Sequence, residues 1–161
     1  MHDFFLWLES LSLASWVRES GSIWAYPTVL CSHTFGMAIV AGLSAAVDLR
    51  ILGFAPEAPL APMDKVFPVM WVGFWINLVT GMLLLIADAT TKFYNPVFYV
   101  KLGFVAIAVG IMKVQRKQIL LDQASLSPIA KFLAIASIIS WLGAITAGRL
   151  MAYLGPVGGL G

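Results

Sequence analysis

The chain has 161 residues, of which 60% are hydrophobic and only 11% are charged, and its mean hydropathy is +0.90. Soluble domains carry about 25% charged residues, so this composition excludes a disordered chain, a nucleic-acid-binding module and most soluble enzymes. The net charge of +2 is too small to indicate an anionic partner, and the single cysteine, Cys31, excludes an internal disulfide and any multi-cysteine metal site. We therefore expect a protein whose solvent is largely lipid.

The first segment, residues 3–19, predicts an amphipathic helix. Its apolar residues fall on one helical face, and they are Phe4, Trp7, Leu8, Leu11 and Ala14. Such a helix would lie in the membrane interface, with Trp7 and Trp16 at the depth of the lipid headgroups. The same pattern is compatible with packing on the protein's own bundle or on a neighbouring subunit. The segment lacks the basic start and the cleavage site of a signal peptide.

Four longer apolar segments predict transmembrane helices. The uncharged ranges 20–47 and 66–87 both exceed the roughly 20 residues that a helix needs to cross the hydrocarbon core. The third span requires Lys101 to lie within the membrane, and Ser127-Pro128 is a helix start signal before the fourth. In chain order, we place the four spans at 23–52, 66–89, 94–116 and 129–154. The fold class is thus all-α, a single polytopic membrane domain built as a four-helix bundle.

The basic residues favour one orientation of these spans. Six of them lie on the side of the first and third loops, namely Arg50, Lys65, Lys113, Arg116, Lys117 and Lys131. Four lie on the other side, namely Arg18, Lys92, Lys101 and Arg149. The positive-inside rule therefore places the first and third loops in the cytoplasm. In a bacterial inner membrane, both termini would then face the periplasm.

Most of the ionisable side chains that are unfavourable within the bilayer fall in one leaflet. They are His33, Asp88, Lys92, Lys101 and Arg149. Ionisable residues within membrane spans are functional candidates by default. The alternative is structural: the basic side chains extend to the headgroups, Asp88 pairs with one of them, and His33 is a neutral imidazole bonded to a neighbouring helix.

The functional hypothesis for His33 is a haem or metal ligand, because neutral imidazole is the commonest metal ligand in proteins. Gly36, one turn further along the helix, would allow a bulky group to approach the backbone. Lys92, Lys101 and Arg149 would receive the propionates of a haem b.

The histidine count limits the second axial ligand. The only other histidine is His2, so a bis-histidine haem within one subunit requires the N-terminal segment to fold back. Met37 approaches from the same side as His33 and cannot bind opposite to it. The remaining arrangements use Met82 or Met151, a lysine, an open position, or a ligand from another subunit.

Copper is the alternative metal. Cys31, His33 and Met37 supply soft and borderline ligands within a short segment. Only His33 and Met37 share a helical face, because Cys31 lies about 200° from His33 around the helix. The copper hypothesis therefore depends on a two-ligand pair, His33 and Met37.

A third hypothesis needs no cofactor. Asn77 with Thr80-Gly81, together with Asp88 and Lys101, would line a polar path for a proton or a small solute. The protein would then be an oligomeric channel, a transporter or a membrane scaffold. Four helices are few for a secondary transporter, so this hypothesis requires an oligomer. Ala38, Gly42 and Ala46 form small-xxx-small steps that favour close helix packing and self-association. We accordingly expect a homo-oligomer.

A pattern of residues runs through the first three spans. It comprises Tyr26-Pro27, His33, Gly36, Gly42, Asp48-Leu49-Arg50-Ile51-Leu52-Gly53, Trp71, Gly73-Phe74, Thr80-Gly81, Asn95-Pro96, Phe98 and Lys101. The pattern resembles a family of small, mostly uncharacterised bacterial inner-membrane proteins, and it is more distantly similar to membrane proteins of the copper-resistance D type. The resemblance implies that His33, the Asp48/Arg50 pair and Lys101 belong to the family pattern, and it suggests a haem or metal role without a reaction. The scarcity of histidine departs from the usual copper-handling pattern.

No set of nucleophile, base and orienting residue is visible in the sequence, so we do not expect an enzyme. The function that the sequence predicts is electron transfer or sensing by a haem b or metal bound through His33, with a redox protein or a quinone as partner.

Overall fold

The computed structural model describes residues 2–19, 24–59, 61–120 and 127–153, and within them it contains helices and no strand. A 3-10 turn, Ala61–Lys65, precedes the fourth helix. The helices are α1 (His2–Glu9), α2 (Ser12–Glu19), α3 (Tyr26–Leu52), α4 (Val66–Ala87), α5 (Ala89–Phe93), α6 (Pro96–Leu120) and α7 (Pro128–Tyr153).

Four of these helices, α3, α4, α6 and α7, are long and apolar enough to cross a membrane. Together they form a helical bundle, which confirms the predicted fold class. The helix boundaries differ from the prediction by a few residues, and the largest difference is at α6, which continues to Leu120 instead of ending at residue 116. The predicted first residue of the first span and the last residue of the fourth, 23 and 154, lie outside the described residues.

The starts of α6 and α7 are fixed by side-chain caps followed by proline. The Asn95 side-chain oxygen accepts a hydrogen bond from the Val97 backbone N–H at 2.9 Å. The Ser127 hydroxyl oxygen accepts one from the Ile129 N–H at 3.3 Å. A proline follows each cap at the first helical position, where a missing N–H is harmless. The predicted start signal at Ser127 is therefore confirmed.

Gly53 ends α3 in the left-handed conformation, with φ at 101°. Its N–H donates to the Arg50 carbonyl at 3.2 Å, and the Phe54 N–H donates to the Leu49 carbonyl at 3.0 Å. These two bonds satisfy carbonyls that the helix end would leave unpaired. A side chain with a Cβ atom would be strained at this position.

The bundle is built around α3. One side of α3 packs along α4 and another side packs against α7, and α7 in turn packs against α6. The order around the bundle is therefore α4, α3, α7, α6, and α4 and α6 share few direct contacts. The core side chains include Val40, Ile51, Phe67, Met70, Met112 and Trp141. The outward faces expose large apolar side chains, as expected for contact with a lipid bilayer; among them are Val72, Trp75, Val79, Ile139 and Leu142.

Helices α3 and α4 approach backbone to backbone at Gly36. A Cβ atom at this position would lie 2.8 Å from both the Asn77 nitrogen and the Gly73 oxygen. Only glycine permits this approach, in the way that small residues allow close crossings of membrane helices. The space beside Gly36, predicted from the sequence to admit a cofactor, is thus occupied by the backbone of α4.

The N-terminal segment forms two short helices instead of the single predicted helix over 3–19. The break lies at Ser10 and Leu11. The Ser10 hydroxyl donates to the Trp7 carbonyl at 2.7 Å, and the Leu11 N–H donates to the Leu8 carbonyl three residues back. Local hydrogen bonding by serine competes with a continuous helix, which accounts for the interruption.

Both short helices pack on the bundle, against α4 and α5. The Phe5 ring stacks on Phe93 with centroids 4.5 Å apart, and Ala14 and Val17 of α2 are buried. Trp7 and Trp16 remain about half-exposed. The segment therefore contacts the protein's own bundle, as one of the two sequence-based alternatives expected, and its two tryptophans stay accessible to an interface.

Candidate functional site

A cavity of about 600 Å³ lies at the end of the bundle where α4 and α5 lead into α6. We call it the end cavity. Its polar lining comprises Tyr26, His33, Asp88, Thr91, Lys92, Asn95 and Lys101, and apolar residues of α3, α4, α6 and α7 complete its wall. Its volume is within the range of small-molecule and cofactor sites, about 300–1,000 Å³.

The imidazole of His33 is held by α4 through its Nδ1 atom. Nδ1 lies 3.0 Å from the Asn77 carbonyl oxygen and 3.1 Å from the Thr80 hydroxyl oxygen. The Thr80 hydroxyl donates its own hydrogen to the Ile76 carbonyl at 2.6 Å. Because a carbonyl only accepts, Nδ1 carries the proton and donates it. Nε2 of the neutral ring therefore keeps its lone pair.

Two further features of α4 fix the position of His33. The Asn77 side-chain amide donates to the His33 carbonyl at 2.8 Å, which makes the contact between the two residues reciprocal. A Cβ atom at Gly81 would lie 3.0 Å from the His33 Cε1 atom. The imidazole ring thus packs against the α4 backbone at Gly81, where any side chain would come too close to it.

Nε2 of His33 faces Lys101, whose Nζ atom lies 3.5 Å away. Lys101 reaches this position across α7, since a Cβ atom at Gly148 would lie 3.7 Å from the same Nζ. The distance is long for a hydrogen bond. The lone pair of His33 therefore meets a basic side chain that lines the same cavity.

Lys92 brings a second ammonium group to the end cavity. Its Nζ donates to the Leu84 carbonyl at the end of α4. Burial lowers the pKa of Lys92 below its usual value, and the Asp88 carboxylate raises it in partial compensation. Two lysines and one carboxylate line the cavity, so its charged groups favour an anionic ligand.

The structure brings His33, Lys92 and Lys101 together in the end cavity, and Asp88 and Met151, both also named from the sequence, belong to the same lining. Other predicted residues lie elsewhere, and the helix rotations explain why. Arg149 is absent from the lining, Met37 packs against the apolar core, Met82 is exposed on the outer face, and Cys31 is exposed. The proposed His33–Met37 pair is thus not brought together in the end cavity.

A second polar site lies at the opposite end of the bundle, and the convergence of its residues was not predicted from the sequence. It consists of Ser44, Asp48, Gln115 and Ser137, and we call it the buried polar cluster. Each of the four is exposed by 1% or less. The Gln115 amide donates to the Asp48 Oδ1 atom at 2.6 Å. Gln115 lies within the predicted third span, 94–116, but its contact with Asp48 was not predicted, because the sequence does not give the rotation of the helix.

Asp48 and Arg50, which the resemblance assigns together to the family pattern, have different hydrogen-bond partners. The Arg50 guanidinium donates to the Pro56 carbonyl at 2.9 Å and also to the Ala58 carbonyl, both in the loop that follows α3. Residues two apart on a helix point about 200° from each other. Asp48 therefore faces the bundle interior while Arg50 folds over the loop.

No group of three or more His, Cys, Asp and Glu side chains with metal-binding geometry occurs within the described part of the chain. The chain matches no protein-family model, and no curated protein and no solved structure is significantly similar to it. The resemblance to small bacterial inner-membrane proteins and to the copper-resistance D type accordingly stays a prediction from motifs.

Proposed function

We propose that this multi-pass membrane protein binds a haem b in the end cavity through Nε2 of His33, for electron transfer or sensing. The observation that carries the proposal is the hydrogen bond of His33 Nδ1 to the Asn77 carbonyl. Metal-ligating histidines almost always donate the other ring N–H to a carboxylate, a carbonyl or water, which fixes the tautomer and the ring orientation. In this protein the hydrogen bond at Nδ1 leaves the Nε2 lone pair of His33 available to a ligand in the end cavity, whose volume is that of a cofactor site.

The small number of metal-binding side chains near His33 favours a cofactor that itself supplies most of the ligands of its metal ion. His33 and Lys101 are nitrogen donors that lie close together, and the described residues hold no cluster of three His, Cys, Asp or Glu side chains that could bind a metal ion. A bare copper or zinc ion needs three or four ligands, whereas a porphyrin supplies four nitrogens itself. Met37 and Cys31 lie away from the cavity lining, which leaves the copper alternative with less support.

The other residues of the site have definite tasks in this proposal. The Asn77 carbonyl and the Thr80 hydroxyl orient the imidazole, and Gly81 leaves room for it. Lys92 would neutralise a haem carboxylate, and Lys101 would do the same once its Nζ moves from its position 3.5 Å from Nε2. Bound haem supplies reversible one-electron chemistry or a binding position for a small gas. The apolar wall from α3, α4, α6 and α7 would limit access of water.

We further propose that the protein lies in a bacterial inner membrane, as a homo-oligomer, with both termini and the end cavity on the periplasmic side. A redox protein or a quinone would then meet the cavity from that side. The support is the distribution of basic residues between the loops. In a Cys31→Ser background, a cysteine introduced at Gln123, between α6 and α7, should react with a membrane-impermeant thiol reagent only after the cells are opened. Labelling in intact cells would reverse the orientation.

The haem proposal is tested by the absorption spectrum of the protein purified in detergent from cells supplied with haem precursor. We expect a Soret band in the wild-type protein and its loss in His33→Ala. The control is His2→Ala, which removes the other histidine of the sequence and should keep the band. A colourless wild-type preparation, or equal bands in wild type and His33→Ala, would contradict the proposal.

A further inference from the structure

The short helix α5 forms one wall of the end cavity. Thr91 and Lys92 of α5 line the cavity, and the Lys92 Nζ donates to the Leu84 carbonyl near the end of α4. A helix of five residues is not stable by itself, because isolated helices shorter than about 12 residues are marginal in water. The elements that pack on α5 must therefore set its position, and with it the position of two side chains of the cavity lining.

The N-terminal helix α1 is the element that packs most extensively on α5. The Glu9 carboxylate at the end of α1 accepts hydrogen bonds from the Thr90 backbone N–H at 2.7 Å and from the Thr90 hydroxyl. This N–H lies in the first turn of α5, where a helix leaves its N–H groups unpaired. Asp88, at the start of α5, makes no capping hydrogen bond with its own side chain. Glu9 thus supplies from α1 the cap that α5 lacks.

Aromatic side chains join the same two helices and continue to α6. The Phe5 ring stacks on Phe93 with centroids 4.5 Å apart and meets Tyr94 edge-on at 6.1 Å. Phe93 in turn lies 5.9 Å from the ring of Phe98, which lines the end cavity. Contacts from α1 therefore reach the cavity lining along two routes, through the capped backbone of α5 and through a row of rings.

Helix α2 anchors this segment to the bundle. It packs on α4, and its Ala14 and Val17 side chains are each exposed by 2%. The N-terminal segment is therefore fixed on α4 by apolar burial and joined to α5 by the hydrogen bonds of one carboxylate. The first attachment is extensive, whereas the second depends on a few groups and is the one that a single substitution can release.

We propose that α1 and α2 form a strap that sets access to the end cavity, with Glu9 as its positioning residue. While Glu9 is bonded to Thr90, α5 is fixed and holds Thr91 and Lys92 in the lining. When these bonds break, α5 loses its cap and moves, and a ligand can enter or leave. The strap rests on the part of the proposed function that makes the end cavity a ligand site, and it holds for any ligand of that cavity.

The test measures access with a cysteine in the cavity wall. In a Cys31→Ser background, which removes the exposed native thiol, Thr91→Cys is labelled with a thiol reagent in detergent. We expect labelling to be about tenfold faster when Glu9→Ala is added, because two hydrogen bonds to a carboxylate are lost. Glu9→Gln should give an intermediate rate, since its amide oxygen can still accept a hydrogen bond. Equal rates with Glu9 and with Glu9→Ala would overturn the proposal.

Two controls separate a local strap from a general loss of stability. Glu57→Ala removes an exposed carboxylate from the loop after α3 and should leave the labelling rate unchanged. Ser140→Cys replaces a serine of α7 that is exposed by 4%, so its labelling reports opening of the whole bundle. Glu9→Ala should not accelerate it, and equal acceleration at both cysteines would overturn the proposal.

Hydrogen exchange of the α5 amides repeats the comparison without an introduced cysteine. We expect faster exchange in Glu9→Ala at α5 and unchanged exchange in α7, and unchanged exchange at α5 would contradict the strap. Neither measurement needs a bound cofactor. A colourless protein would therefore contradict the haem proposal alone, and the strap would still be decided by its own result.

Discussion

The end cavity and the buried polar cluster are the two polar sites of one apolar bundle, and they differ in whether a molecule can reach them. His33 and Asp48 lie on the same helix, about 22 Å apart along its axis. Around His33 the helices leave a volume of about 600 Å³. Around Asp48 the polar side chains of α3, α6 and α7 contact one another, and each is exposed by 1% or less.

This difference separates two uses of polar residues within a membrane bundle. In the buried polar cluster, side chains of α3, α6 and α7 are hydrogen-bonded to one another. In the end cavity, His33 Nε2 and the two lysine ammonium groups line open volume. Polar groups that line a cavity indicate a ligand site, whereas polar groups that bond to one another across helices indicate helix association.

The largest expected effect concerns the close contact of α3 with α4 at Gly36, about one helical turn beyond His33. Gly36→Val places a side chain against the backbone of α4, where a Cβ alone would come within 2.8 Å of two backbone atoms. Backbone cannot yield as a flexible side chain does, so we expect a loss of about 3 kcal/mol or more in the free energy of unfolding. Denaturant unfolding in detergent measures it. Gly42→Ala is the control, since its Cβ meets nothing within 4 Å, and wild-type-like stability of Gly36→Val would refute the close contact.

The two sites should respond differently to removal of one polar group. Gln115→Ala takes the amide from a fully buried carboxylate, and we expect it to lower the free energy of unfolding by about 2–3 kcal/mol. Lys101→Gln removes a partly buried charge at the open site and should change stability by less than about 1 kcal/mol. The same unfolding measurement compares them. Equal losses of unfolding free energy would mean that the polar groups of the end cavity contribute as much to stability as those of the buried polar cluster.

Crowding His33 should affect cofactor binding more than stability. In Gly81→Ala the new methyl group lies 3.0 Å from the imidazole Cε1 atom, so the ring must shift from its bonds to Asn77 and Thr80. We expect haem affinity to fall by about tenfold or more, as for other losses of ligand orientation, in a haem titration followed by absorption. Gly103→Ala, where a Cβ meets nothing within 4 Å, should bind as the wild type does. Unchanged affinity in Gly81→Ala would argue against His33 as the ligand.

The smallest effect is a pH dependence that the end cavity should show. Burial lowers the pKa of Lys92 in the folded protein, with Asp88 acting in the opposite direction. The unfolded chain then binds more protons than the folded one between the lowered pKa and the usual lysine value of about 10.4. Stability should rise with pH across that window and level off above it.

The measurement is the unfolding midpoint of wild type and Lys92→Gln across the alkaline range. Other groups also titrate there, so the difference between the two proteins isolates Lys92. We expect the stability gained by Lys92→Gln to shrink as the pH rises. A difference that is constant with pH would mean that Lys92 is not perturbed by burial.

The fold was predictable from the sequence because its determinants are local. Long uncharged segments define the spans, and Ser127-Pro128 and Asn95-Pro96 mark helix starts whose caps are confirmed. The break at Ser10 was missed because a serine hydroxyl bond to the preceding turn is a weak local preference. The hydrogen bond of a serine hydroxyl interrupts a helix only where the helical segments on its two sides also make separate packing contacts.

The site was predictable only in part, because convergence depends on how each helix is rotated and which helices are neighbours. His33, Lys92 and Lys101 do converge. Arg149 and Met37 do not, since helix rotation turns each away from the lining. The role of Gln115, which lies near the end of the predicted third span, was missed because its burial arises from contacts with other helices.

The account depends most on the claim that the His33 imidazole is the ligand in the end cavity. The most direct measurement is the Soret absorption of His33→Gly, purified in detergent with haem supplied, before and after addition of imidazole. Removing the side chain leaves space beside Gly81 for a free imidazole. We predict that the band of the wild type is absent from the variant and returns with imidazole. A wild-type protein without the band, or a variant that shows it without imidazole, would contradict the claim.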